Sequence, residues 1–281
     1  MLDKLKFIDE QRDKTAFYAS DTGKPLLDLY FSFKGVEKSN PPNWWDTLKW
    51  SAGTGVEDAI VKIFKSNGVV PEDYDQKVHG YIDIQREGVD IHGYIDAKMI
   101  DGTPIEIKSI NNANKWDIKR YESNQPRENY VGQLAVYMDA LGVDIGHLFV
   151  ASIDGLNRFW FDCNKIGERT YKCGETVVEL DKIYKRWADL YNNHVLKDTP
   201  PDIWEYRYKV PVEEIDFKSL STTDIGKMRN GAKVHGDFQI SYSPYKELII
   251  GLQGETLGYT PKEIEFIKEK TKGFSSKVNK W

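Results

Sequence analysis

Between Val78 and Ile110 apolar residues recur at every second position, and the run is broken by the dipeptides Glu87-Gly88 and Asp101-Gly102. Successive side chains of a strand point to opposite faces, and Asp-Gly is a strong hairpin signal. The pattern predicts a meander of three antiparallel strands over 78–85, 89–99 and 105–110. A sheet of this kind must bury one face against other elements, so helices are expected on either side of it in sequence.

The flanking segments supply them. Val56, Ile60, Ile63 and Phe64 fall at helical spacing, with Thr54 as cap and Gly68 past the end, which predicts a helix over 54–66. Glu57 and Asp58 then lie in its first turn, where the helix dipole alone favours carboxylates. Asn40-Pro41-Pro42-Asn43 reads as a loop, and Trp44, Trp45 and Trp50 as core or packing anchors, with a base-stacking platform as the lesser alternative. After the meander come a polar loop over 111–128, a helix over 129–140, and strands over 145–153 and 158–162 around Asp154-Gly155. A long helix over 174–195 ends at Thr199-Pro200-Pro201-Asp202. Beyond it Trp204, Tyr206 and Tyr208 alternate like a strand, and 261–272 reads as a helix opened by Pro261.

The element order predicts an α/β (α+β) fold with a mixed central sheet flanked by helices. We divide the chain into an N-terminal extension packed on the core (1–50), the core (51–200), and a C-terminal extension (201–281) whose role stays open, with DNA or partner contact as a candidate.

At 281 residues and 40% apolar content the chain can bury a substantial core. The charged N-terminus, Met1 to Glu10, has no apolar signal region, and no stretch reaches membrane-spanning length. A cytoplasmic protein is expected, in the bacterial host if phage-encoded. Cys163 and Cys173 are too few for a four-cysteine metal site and read as reduced thiols. His79, His92, His147, His194 and His235 show no zinc spacing; neither a Gly-x-Ser-x-Gly elbow nor a phosphate-binding Gly-x-x-x-x-Gly-Lys loop occurs. The net charge of −5 argues against nucleic-acid binding through bulk positive charge. A local basic track remains: six lysines (Lys262, Lys268, Lys270, Lys272, Lys277, Lys280) stand against three glutamates after Pro261, and a solvated helix face explains them equally well.

One part of the meander carries chemistry. Glu106 and Lys108, two apart, share a face of the third strand, while Ile105 and Ile107 turn to the other. Asp96 lies across the Asp101-Gly102 turn and can sit beside them. Two carboxylates and a backbone carbonyl, with Ile107 the natural donor, suit an octahedral hard cation, which acidifies water and polarises a phosphoryl oxygen. Lys108 can orient the attacking hydroxide or stabilise developing charge. Gly80-Tyr81-Ile82-Asp83 duplicates Gly93-Tyr94-Ile95-Asp96, but Asp83 falls one strand further from Glu106, so Asp96 is preferred. Gln133 and Tyr137, four apart on a helix, can bind phosphate or position the lysine and water.

Gly93-Tyr94-Ile95-Asp96, Ile105-Glu106-Ile107-Lys108 and the Gln133-x-x-x-Tyr137 element together resemble the PD-(D/E)XK nuclease superfamily, in particular its RecB-like exonuclease branch, which includes CRISPR-associated and phage exonucleases. The resemblance covers roughly 50–155. It implies a restriction-endonuclease-like αβββαβ core and binding of Mg²⁺ or Mn²⁺ by Asp96 and Glu106, with Lys108 assisting. Gly53-Thr54-Gly55-Val56-Glu57-Asp58 resembles the Gly-x-x-x-His-Glu helix start of that branch. Glu57 stands at the histidine position, and whether Glu57 or Asp58 is the ligand is open. Some members hold an iron–sulfur cluster on four cysteines; Ser20 to Pro25 has none where the first is expected, so no cluster is predicted. Lys115, Lys119, Arg120 and Arg127 are candidate DNA contacts.

The expected activity is that of a metal-dependent deoxyribonuclease in phage or bacterial DNA recombination, repair or degradation, most simply an exonuclease on single strands or duplex ends. An endonuclease of structure-specific or restriction type, a non-catalytic DNA-binding or scaffolding subunit, and a subunit needing a helicase or recombination partner are the alternatives. Oligomeric state stays open.

Overall fold

The structure is a computed structural model that describes residues 14–111 and 115–274; Lys277, Lys280 and the N-terminal segment read above lie outside them. The elements run β1 (Phe17–Tyr18), α1 (Leu26–Phe33), α2 (Trp44–Ser66), α3 (Gln76–His79), β2 (Tyr81–Arg86), β3 (Val89–Tyr94), β4 (Ala97–Lys98), β5 (Pro104–Ile110), α4 (Lys115–Glu122), α5 (Glu128–Leu141). They continue with β6 (Ile145–Ser152), β7 (Arg158–Lys165), β8 (Thr170–Cys173), β9 (Thr176–Glu179), α6 (Leu180–Leu190), α7 (Thr222–Arg229), α8 (Phe238–Tyr242), α9 (Lys246–Leu252) and α10 (Pro261–Lys270). The described residues divide into two compact units, one of 14–24, 32–35, 42–111 and 115–199, the other of 25–31, 36–41 and 200–274.

The first unit is a mixed α/β assembly consistent with a restriction-endonuclease-like fold. A six-stranded sheet has the order β4-β5-β6-β7-β8-β9, in which β5 and β6 are parallel and the other neighbours antiparallel. A second sheet has the order β1-β3-β2, with β1 parallel to β3. Ile60 of α2 packs with Ile105, Ile107, Ala97 and Ala151 on one face of the larger sheet. The largely buried α5 covers the other. Cys163 and Cys173 are buried free thiols facing each other across β7 and β8.

The meander is therefore split. The chain leaves one sheet after Tyr94 and enters the other at Ala97, and Val78 and His79 belong to α3 rather than to a strand. The helix predicted over 54–66 starts ten residues earlier. The Asn43 side chain accepts from Trp45 and Asp46 N–H groups at 2.9 and 3.2 Å, and Asp46 reciprocates, so the segment after the prolines is a capping box. Glu57 and Asp58 consequently sit mid-helix, out of reach of the N-terminal dipole. Trp45 and Trp50 are exposed, not core anchors, and Trp44 stacks on Trp45.

Three further expectations change. The polar loop contains α4, whose Asp117 and Tyr121, four apart, are its only two buried residues, too few to register as a helical period. The helix predicted over 174–195 opens instead with the β8–β9 hairpin. Gly174 takes a left-handed φ of 56° at its turn, and Thr176, Val177 and Val178 are β-branched. Residues 204–208 form turns and bends rather than a strand.

The second unit is built around Val212, Ile215, Phe217, Met228, Tyr259 and Ile267. Thr260 and Glu263 cap α10 reciprocally, with Pro261 in its first turn as expected. The Lys209 ammonium joins Glu255 and Glu263 at 2.8 and 3.0 Å. Among the described residues no helix is long and apolar enough to cross a membrane.

Two close approaches brace the first unit. A Cβ on Gly93 would lie 2.7 Å from Cε1 of the buried Tyr137 ring, so only glycine lets α5 seat there. At the N-terminal side, buried Asp21 accepts from the Tyr18 N–H at 2.8 Å and pairs with Lys14 and Lys24. Burial pushes its carboxyl up, but the Lys24 and Lys14 ammoniums pull it further down, below the usual carboxylate value.

Gly93→Ala is expected to lower unfolding stability by about 1–3 kcal/mol through overpacking. Gly55→Ala, at an exposed helical site with open space around it, should raise stability by about 0.5–1 kcal/mol. Urea titrations of both variants check the opposite signs. Because Asp21 is more acidic folded than unfolded, its contribution is complete above an unfolded pKa of about 3.9 and is lost as pH falls. Asp21→Asn should therefore cost about 3–5 kcal/mol at pH 7, stranding buried Lys14, with the gap to wild type closing in acid. Unfolding curves across pH decide; a gap independent of pH refutes the pairing.

Candidate active site

β5 places its odd and even residues on opposite sides of the large sheet. Ile105 and Ile107 face α2. Glu106 and Lys108 face the side covered by α5, so Glu106 is fully buried and Lys108 partly so. A solvated Glu-Lys surface pair is thereby excluded. The Lys108 ammonium is in ion-pair contact with Glu106 Oε1, and the buried carboxylate oxygens have no other nitrogen donor among the described residues.

Asp96 occupies the break between the sheets. Its Oδ2 accepts the Ile107 backbone N–H at 2.8 Å, and its Oδ1 accepts from Gln76 Nε2 at 3.0 Å. The N–H and C=O of a strand residue point to the same edge, so the Ile107 carbonyl also faces the Asp96 side. Glu57 arrives from α2. A Cβ on the buried Gly53, one turn before it, would lie 2.8 Å from Ser109 Oγ, so glycine admits a tight helix–strand contact. The Ser109 backbone N–H donates to the Glu57 carboxylate.

The electrostatics follow from this crowding. Burial, then the Asp96 charge, holds the Glu106 carboxyl well above the usual range against the pull of Lys108. Burial and Asp96 push Glu57 up to about 7, opposed by Lys108 and the Ser109 N–H. Burial likewise raises Asp96, opposed by Lys108 and the Ile107 N–H. Burial lowers the Lys108 ammonium, but Glu106 and Asp96 overcome it, leaving its pKa above the ordinary lysine value. Lys108 therefore stays cationic.

The structure brings Asp96, Glu106, Lys108 and Glu57 into mutual electrostatic contact, with Tyr137 beside them. Asp58 is exposed, and Asp83 sits in the smaller sheet opposite His92, 3.3 Å from its Nε2. Gln133 Nε2 donates to the Tyr137 hydroxyl, which donates to the Tyr94 carbonyl, both at 3.0 Å. Tyr137 thus braces the backbone two residues before Asp96. Lys115, Lys119 and Arg120 are exposed on α4, whereas Arg127 is engaged with Asp117 through two hydrogen bonds.

Sequence reasoning missed Gln76 and Tyr74, whose hydroxyl donates to the Ile95 carbonyl at 2.8 Å. Asp75 caps α3 by accepting from Lys77 and Val78 N–H groups, a signal that could have placed Gln76 on a helical turn. Nothing local pointed to its partner twenty residues on.

Among the described residues no three His, Cys, Asp or Glu side chains stand at metal-ligating geometry. The donor chemistry nevertheless fits a hard divalent cation: oxygen ligands only, on groups whose charges repel, with a buried carboxylate that Lys108 alone does not compensate. Side-chain rotation would be needed to close such a site.

No family model matches the chain, and no curated protein matches it. Among solved structures it is similar to SSO0001, at 14% identity and a TM-score of 0.42, covering 75% of this chain and 87% of that one. It is also similar to an alkaline exonuclease, LHK-Exo, from Laribacter hongkongensis, at 18% identity and a TM-score of 0.41, covering 66% of this chain and 90% of the other. The same exonuclease in complex with dAMP matches at 18% identity and a TM-score of 0.39, covering 66% and 87%.

Glu106→Gln should raise the stability of the protein in EDTA at neutral pH by about 0.5–2 kcal/mol, because folding raises the Glu106 pKa and so opposes its ionisation, while the Asp96 charge still holds Lys108 in the variant. Saturating Mg²⁺ or Mn²⁺ at a hundredfold its Kd should add about 2.7 kcal/mol to wild type, and much less to the variant. Thermal unfolding with and without metal tests both; a variant less stable in EDTA would show that the carboxylate is not strained.

Proposed function

We propose that this chain is a divalent-metal-dependent nuclease that hydrolyses phosphodiester bonds in DNA, acting as an exonuclease on single strands or duplex ends. The observation that carries the reading is Glu106: fully buried beside Asp96, with Lys108 as its one cationic partner among the described residues. Lys108 offsets only one of the charges that Glu106, Asp96 and Glu57 bring together, so the buried cluster calls for a further partner of opposite charge.

Asp96, Glu106, Glu57 and the Ile107 carbonyl would hold Mg²⁺ or Mn²⁺. When bound, the cation supplies Lewis acidity at the phosphoryl oxygen and lowers the pKa of water. Gln76 and the Ile107 N–H fix the orientation of Asp96. Lys108, kept protonated by Glu106 and Asp96, is a charge stabiliser and hydrogen-bond donor to an attacking water or to the phosphate, not a base. Tyr137 and Gln133 hold the Tyr94 end of β3, and through it the position of Asp96.

The deciding assay compares linear 5′-labelled, linear 3′-labelled and closed-circular single-stranded DNA with Mg²⁺, Mn²⁺ or EDTA. Metal-dependent loss of linear strands alone is expected, the label lost first giving polarity. Cutting of the circle would make it an endonuclease, and no cleavage with any metal would refute the reading. Asp96→Ala and Lys108→Ala should each lower the rate by about 100-fold or more while the proteins stay folded by circular dichroism.

A further inference from the structure

The hydrolytic site does not use α4, yet that helix carries an unusual surface. Asp117 and Tyr121 turn inward and are buried. Lys115, Trp116, Lys119 and Arg120 are left exposed. Residues three and four apart on a helix are neighbours, so Trp116 is framed by Lys119 and Arg120, and Lys115 adjoins Lys119. Trp116 is 84% exposed. Among the described residues of α4, Glu122 at the C-terminal end is the one exposed acid.

A single exposed aromatic is ordinary. Its mounting is what distinguishes this one. Asp117 is gripped by Arg127, with Nε to Oδ1 at 2.9 Å. The Arg127 guanidinium and the Lys108 ammonium each lie 5.7 Å from the centroid of the Tyr130 ring. Contacts thus run unbroken from Lys108 through Tyr130, Arg127 and Asp117 to α4, tying its position to the reaction centre. Arg127 is spent on this strut, which removes it from the candidate DNA contacts and leaves three free-standing cations around the indole.

We propose that the outer face of α4 is a platform for single-stranded DNA, on which Trp116 stacks a base while Lys115, Lys119 and Arg120 hold the adjoining phosphates. Stacking on an indole requires a base free of its duplex neighbours, which selects a single strand. Every base offers a π-face, so the platform is indifferent to sequence. The local cations also answer the net charge of −5, which by itself repels a polyanion. The proposal rests on the nuclease reading only in that the bound strand is fed to Asp96, Glu106 and Lys108.

The test is equilibrium binding of a fluorescent single-stranded oligonucleotide and its duplex in EDTA, by anisotropy across a salt series, for wild type, Trp116→Ala, Trp116→Phe and the triple variant Lys115→Gln, Lys119→Gln, Arg120→Gln. Trp116→Ala should weaken single-strand binding about tenfold at every salt concentration, with Trp116→Phe restoring most of it. The triple variant should lower the slope of log K against log salt by about two. Unfolding midpoints confirm that these surface variants fold. In a parallel cleavage assay Trp116→Ala should raise KM and leave kcat unchanged. Wild type that binds no single strand, or variants that bind as it does, would overturn the platform, and continued cleavage by wild type would leave the nuclease reading standing. Loss of binding in the variants of a protein that never cleaves would support the platform and sink the nuclease.

Discussion

The hydrogen bond from the Ile107 N–H to the Asp96 carboxylate is the joint on which the site depends. Ala97 pairs with Ile105 across β4 and β5, and continuing that register would set residue 95 against residue 107. The chain cannot continue it. The Ile95 N–H is given to the Gly80 carbonyl, and the Ile95 carbonyl is taken by the Tyr74 hydroxyl. The backbone thus belongs to one sheet up to Ile95 and to the other from Ala97. At the residue between, a side chain replaces the missing ladder partner. That substitution satisfies the buried Ile107 N–H, fixes a carboxylate at the edge of β5, and leaves the strand edge open beyond it. Glu106 and Lys108 on one face, and Glu57 on the other, then need only be brought to the same edge.

Close packing brings them there. Gly53 lets α2 approach Ser109, and Gly93 lets the Tyr137 ring of α5 lie against β3. Neither contact tolerates a Cβ without a shift, because interiors are packed as densely as organic crystals. The same density explains the strain in the electrostatics. α5 removes Glu106 from water, yet supplies it no donor. Stability is lowered where the fold holds the carboxylates together, which is the pattern expected of a site built to bind something rather than to stabilise the chain.

How much of this could be read from residue order differs by mechanism. The alternation around Ile105 to Lys108 put Glu106 and Lys108 on one face, and the hairpin signal at Asp101-Gly102 brought Asp96 beside them, because both rest on local stereochemistry. The preference for Asp96 over Asp83 was legible for the same reason: strands that adjoin in sequence through a tight turn adjoin in space. The transfer of chain between two sheets at Asp96 was not, since it is decided by Tyr74 and Gly80 acting at a distance. The start of α2 was hidden by the prolines before Asn43, whose cap outweighs them. Helix α4 was hidden because two inward residues leave too weak a period. The choice between Glu57 and Asp58 depended on which side of α2 meets β5, which the close approach at Gly53 sets.

The charges of the site can be added. Glu57, Asp96 and Glu106 bring three negative charges into one poorly hydrated region, and Lys108 returns one positive charge. The remaining imbalance is two, which is the charge of a single divalent cation. In its absence, burial drives all three carboxyls toward protonation, and at Glu106 and Glu57 the Asp96 charge adds to it. A second lysine would neutralise only half of the imbalance and would bring its own desolvation penalty. A cation coordinated by carboxylates, a backbone carbonyl and water offsets both charges at one point and can exchange a water for a phosphate oxygen without disturbing the protein ligands. Hard oxygen donors without histidine or thiolate favour Mg²⁺ or Mn²⁺ over softer ions. The arrangement is thus incomplete as an ion-pair network and balanced as the proposed metal centre.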